Sequence, residues 1–157
     1  MGSREDILDA VRRGLADVPA TEAATDVPVV RDYRRAHLEG SASSRIATLM
    51  KNLSDYRARV HTCTVEELPA RISTSIGAHG GGSIAVPSGI AEEWLSRCPD
   101  GVAVIVESAQ LDATTLDGID SVLTGATVAI AETGTIVLQH GPTEGARMLS
   151  LVPDHHI

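Results

Sequence analysis

Phenylalanine is absent from this 157-residue chain, and two tyrosines and one tryptophan are its only aromatics. A hydrophobic core must therefore be built from Val, Ile, Leu and Ala, the residues that suit a buried parallel sheet. The same scarcity removes the stacking platforms used by single-strand binders, and a net charge of −8 removes the basic surface that duplex binding needs. Both argue against a nucleic-acid partner. Lysine is nearly missing as well, since Lys51 is the only one among 13 basic residues. Cysteine is limited to Cys63 and Cys98, which form no CxxC pair. Two thiols fall short of the four that an iron–sulfur cluster normally takes, so this chain alone is expected to bind no such cofactor. His37, His61, His79 and His140 show no ligand spacing, so no metal site is expected either. No apolar run reaches the length of a membrane span. The polar start, Met1 to Asp6, lacks the apolar region of a secretory signal. The expected location is the cytoplasm.

What is present fits one α/β domain with an N-terminal extension. The length suffices to bury about 68–70% of the unfolded surface. Ile7, Leu8, Val11 and Leu15 recur at helical spacing after Ser3, a candidate N-cap. Two prolines among Ala and Thr then mark an extended arm, so residues 1–30 are read as helix plus arm and 31–157 as the main domain. A helix is expected from Asp32 to about Tyr56, with a break near Gly40-Ser41. Strands are expected at 59–63, 83–86, 102–106 and from 121 onward. Helices are expected at 65–76, capped by Thr64, and at 90–97, with a short helical turn at 111–116. This alternation predicts a three-layer, Rossmann-like sheet, mostly parallel. From Ser121 the strands crowd together, so an antiparallel part is expected near the C-terminal end, running on to Val152.

Four segments carry candidate chemistry. The run Thr124 to Leu138 reads as two apolar strands joined by Glu132-Thr133-Gly134. A carboxylate between apolar runs is costly to bury unless it is hydrogen-bonded. As a nucleophile or general base, Glu132 would be desolvated with a raised pKa. Gly134 would admit a ligand close to the backbone, and Thr133 and Thr135 would donate hydrogen bonds to it. The equal alternative is a structural Glu bound to turn amides. Pro87-Ser88 follows a strand and opens a helix, where amides can hold an anion, or Ser88 simply caps the helix. The glycines at 80–82 could bring amides to a phosphate or carboxylate, although a flexible connection explains them more simply. Arg147 could clamp a carboxylate or phosphate, or pair with Glu144. His155 and His156 are adjacent and should face opposite ways on a strand.

The ordered motif Leu123-Thr124-Gly125-Ala126, Ile130 through Leu138, Gly141-Pro142, Arg147, Leu149 to Asp154 and His156-Ile157 resembles the LUD domain family. The resemblance covers most of the chain, with its distinctive part in the last third. It implies a fold like that of the CoA-transferase and ribose-phosphate isomerase group. It also implies a role in converting L-lactate to pyruvate, beside partner subunits that carry iron–sulfur clusters. In related CoA transferases a glutamate in a short Glu-x-Gly turn forms the acyl adduct, and Glu132-Thr133-Gly134 is similar in form. Thr124, Gly125, Thr133, Gly134, Thr135, Arg147, Pro87, Ser88 and His156 become candidate ligand contacts for a small carboxylate or nucleotide-like molecule. Relatives continue past the Pro-x-x-His segment, so the domain is expected to be incomplete there. An exposed sheet edge and self-association into a homo-oligomer are then expected. Three functions stand: a cluster-free subunit of a lactate-oxidising system, a stand-alone enzyme using Glu132 on an acyl thioester or sugar phosphate, and a structural or regulatory partner-binding protein.

Overall fold

A computed structural model describes residues 3–19, 21–23, 29–30, 32 and 40–157. The chain divides into two compact units, Met1–Ala36 and His37–Ile157. In the first, helix α1 spans Ser3–Gly14, with Glu5 and Asp6 in its first turn and Arg12 and Arg13 in its last. Both placements oppose the helix dipole favourably. Ser3, expected as the cap, is the first residue of α1, and residues 33–39 of the helix expected from Asp32 lie outside the described residues.

The second unit opens with α2, Ala42–Asp55, capped by Ser41, whose Oγ accepts from the Ser44 N–H at 3.2 Å. The expected break at Gly40-Ser41 is thus a helix start. At the other end the Ala58 N–H reaches Leu53 O and the Arg57 N–H reaches Ser54 O, a Schellman closure. Arg57 takes φ 66° to make it. A glycine would do so freely, whereas any other residue there costs roughly 1–2 kcal/mol.

Residues 59–63, expected as a strand, join neither sheet. Thr64 and Glu67 then form a reciprocal capping box: the Thr64 N–H donates to Glu67 Oε2 at 2.9 Å and the Glu67 N–H to Thr64 Oγ1 at 3.3 Å. The helix that follows, α3, is Leu68–His79, starting and ending three residues later than the spacing alone implied. It stops where Gly80 turns left-handed and its N–H bonds Ile76 O.

The central sheet has the order β2-β1-β3-β6, all parallel: β1 Ser83–Val86, β2 Ala103–Val106, β3 Ser121–Val122 and β6 His155–His156. Alternation along β1 divides the core. Ile84 and Val86 pack with Ile72 and Ile76 of α3 and with Leu123, while Ala85 packs with Leu116, Ile119, Val122 and Leu149 on the other side. Leu116 belongs to α4, Ala113–Asp117, capped by Asp112. Full burial of one such side chain contributes about 1.5–3 kcal/mol. The helix expected at 90–97 is a single 3-10 turn, Glu92–Leu95. A separate hairpin pairs β4, Val128–Ile130, with β5, Thr135–Val137, antiparallel. The fold is therefore mixed α/β, with a parallel central sheet and a small antiparallel one.

Two strands depart from expectation. β2 forms within the apolar run expected as a strand at 102–106, but it is an edge strand and Val106 is 55% exposed. Residues 147–151 form turns, so the C-terminal strand does not run through Val152; it is the short β6.

Candidate functional site

The candidate residues fall in separate places. Glu132 and Thr133 are exposed in the four-residue connection between β4 and β5. Asn52 of α2 holds this connection by donating from Nδ2 to Ala131 O and Glu132 O, each at 2.9 Å. Gly134 has φ 65°, and a Cβ there would lie 3.0 Å from Asn52 Cβ and 3.1 Å from the Asn52 carbonyl carbon. The glycine therefore serves the approach of the turn to α2. The hydroxyls of Thr133 and Thr135 bond each other at 2.8 Å. The desolvated setting expected for Glu132 is absent because both flanking strands are exposed: Val128 is 52% and Ile130 45% accessible. Glu132 and Thr133 instead border a depression of about 300 Å³ with Asn52, Asp55 and Tyr56.

Thr124, Gly125 and His156 do come together. Thr124 Oγ1 is hydrogen-bonded to His156 Nε2 at 2.7 Å, and the Thr124 N–H donates to Ile157 O at 3.1 Å. They line a cleft of about 550 Å³ whose apolar wall includes Ile136 and Leu138 of the hairpin side. Partial burial pushes the His156 pKa down, which favours a neutral imidazole. Neutral His156 beside a hydroxyl can accept or donate one proton to a bound polar group.

Pro87 is buried and Ser88 exposed, in a turn that no helix follows directly; the cap of the 3-10 turn is Ala91. The expected helix-terminal anion site at Ser88 is therefore not formed. This turn meets the loop after β5, where the Gly89 N–H donates to Pro142 O at 2.9 Å. Arg147 is exposed and lines neither cleft nor depression. Among the described residues it makes no ion pair with Glu144. Glu144 is instead buried, taking the Thr127 hydroxyl and the Gln139 N–H. The Thr127 hydroxyl bond comes first among the causes that hold its carboxyl below the usual range.

Three further residues had no clear sequence signal. Asp120 fills the glycine loop: its Oδ2 accepts from the N–H groups of Gly82 and Ser83, each at 2.9 Å, and from Ser83 Oγ at 2.7 Å. A Cβ on Gly81 would lie 2.6 Å from Asp120 Cβ, so the glycine admits that side chain. The Ser83 hydroxyl, then the Gly82 amide, holds the Asp120 pKa down. The loop amides do bind a carboxylate, and the carboxylate is the chain's own. His155 stacks on His79, with ring centroids 4.3 Å apart, and its Nδ1 is hydrogen-bonded to the buried Ser121 Oγ at 2.8 Å. Desolvation first, then the charges of His79, Arg59 and His156, lower its pKa. Asn52, which anchors the hairpin, is the third, and only its distance in space from Glu132 gives it that role.

A parallel sheet covered on both faces, an appended hairpin and a Thr-Gly/His cleft at the ends of β3 and β6 define an α/β domain with a small-molecule-sized cleft. The LUD domain family profile matches residues 46–157. The chain belongs to the LUD domain family. It is 36% identical over 152 residues to a protein named Lactate utilization protein C from Deinococcus radiodurans, a match covering 97% of this chain and 66% of that protein. The chain thus spans just under two thirds of the length of that relative. Among solved structures it is similar to a DUF162 family protein from Deinococcus radiodurans, with a TM-score of 0.68, 36% identity, and coverage of 75% of this chain and 69% of that one.

Proposed function

We propose that this chain serves L-lactate utilization as a subunit without an iron–sulfur cluster, working beside partner subunits that carry the clusters. The observation that carries this reading is the 36% identity to a protein named Lactate utilization protein C across nearly the whole chain. In this reading the cleft of Thr124, Gly125 and His156 holds a small carboxylate. Thr124 and the Gly125 region supply polar contacts, and His156 holds or moves a proton at Nε2. Glu132 and Thr133, on an exposed tip locked to α2, contact a partner subunit or the edge of the ligand. Exposure speaks against Glu132 as a buried nucleophile, so the accessory role is preferred over a stand-alone acyl or sugar-phosphate enzyme.

Growth on L-lactate as sole carbon source, in a strain deleted for this chain, tests the reading. Deletion should stop growth, and the native gene should restore it. Thr124→Val and His156→Ala should fail to restore it while the protein still accumulates. Normal growth of the deleted strain, without a second lactate oxidase, would overturn the lactate role. Full rescue by both cleft variants would overturn the assignment of the cleft.

A further inference from the structure

A second cavity, of about 610 Å³, lies between the 57–63 segment, α3 and β6. It shares Ala58, His156 and Ile157 with the Thr124 cleft but differs from it in charge. Arg57, Arg59 and Arg71 line it, with Asp154 as its one acidic lining residue. Three guanidiniums outnumber the acidic groups of the lining, in a chain whose net charge is −8. Among the described residues none of these arginines is in an ion pair. His61 and His79 add ring nitrogens, and Leu68 and Ile72 supply an apolar floor. Arg57 is the more telling for its backbone. It occupies a left-handed position that closes α2, where glycine would be unstrained. Strain retained under a cationic side chain that lines a cavity points to use of that side chain.

From this we infer that the cavity binds a phosphate-bearing small molecule of nucleotide size. A phosphate monoester carries about −1.5 to −2 charges near neutral pH and three acceptor oxygens, enough to engage more than one of the three guanidiniums. Arginine forks suit phosphate oxygens bidentately. The volume falls within the roughly 300–1,000 Å³ of small-molecule sites. The assignment goes beyond the lactate reading and stands without it.

Titration calorimetry on the full chain with AMP, inorganic phosphate, succinate and L-lactate tests this. AMP should bind saturably with 1:1 stoichiometry and inorganic phosphate more weakly. Arg59→Ala and Arg71→Ala, both at exposed positions, should each weaken AMP at least about tenfold, the effect expected for a lost charge-assisted contact. Arg57→Gly should raise the melting temperature by relieving the left-handed strain and at the same time weaken AMP, a pairing that a purely structural arginine would not give. Arg97→Ala, at an exposed position outside the cavity lining, should leave AMP binding unchanged. Absence of saturable binding by both AMP and inorganic phosphate would overturn the proposal. So would AMP affinity unmoved by the arginine changes, or succinate binding more tightly than AMP.

Discussion

The central sheet and the β4–β5 hairpin are written in nearly the same alphabet, yet they are held by different forces. Ile84, Ala85, Val86 and Val122 are buried between two apolar clusters. Val128, Ile130 and Ile136 are about half exposed and belong to neither cluster. Polar anchors fix the hairpin instead: Asn52 at its tip and the buried Glu144 at its base. An apolar strand is thus no guarantee of a buried one. A few well-placed acceptors and donors position the hairpin where its own side chains bury little. The two glutamates of this region differ in the same sense, with Glu144 spent on structure and Glu132 left accessible at the tip.

The contrast can be broken at its strongest point first. Leu116→Ala, in the fully buried cluster, should cost about 2–5 kcal/mol in denaturant unfolding. A loss below about 1 kcal/mol would mean that the sheet is no better packed than the hairpin. Asn52→Ala should cost about 1–2 kcal/mol by orphaning two carbonyls. It should lower amide protection in β4 and β5 while leaving β1 and β3 protected. Acid should separate the regions in the same way. The Glu144 pKa is lowered in the folded state, so the stability it contributes is complete above the ordinary glutamate value of about 4.3 and is lost as pH falls below it toward the folded value. Protection factors at Gln139 and Val137 should then fall before those of Ala85 and Val122. Equal loss at both would show that the hairpin does not depend on Glu144. The smallest effect is expected at Ile130→Ala, within about 0.5 kcal/mol, as for an exposed surface position.

What could be read from the sequence was whatever local spacing dictates. The strands at 83–86 and 121–123, the break at Gly40-Ser41 and the hairpin around Glu132-Thr133-Gly134 all announce themselves within a few residues. The family resemblance rested on the ordered motif from Leu123 to Ile157, and the family is the one found. Long-range placement was not legible. Residues 59–63 alternate like a strand but find no partner strand among the described residues. The Ser88 turn looked like a helix start, but only a short 3-10 turn follows, from Glu92. Asn52 and Asp120 act on segments 79 and 37 residues away, beyond any pattern of spacing. Of the candidate ligand contacts, Thr124, Gly125 and His156 share one cleft, whereas Arg147 and Ser88 stand apart.

The Asp120 carboxylate ties the starts of two neighbouring parallel strands together, since it bonds Ser83 at the head of β1 and directly precedes Ser121 at the head of β3. The sheet is therefore buttoned at one end and open at the other. Pro87, Ser88, Thr124 and Gly125 all follow the opposite ends of these strands, the side on which open α/β sheets receive ligands. This gives the domain a polarity of tolerance. Variation at the buttoned end is paid for in folding, whereas variation at the open end changes what the molecule can hold while its frame survives.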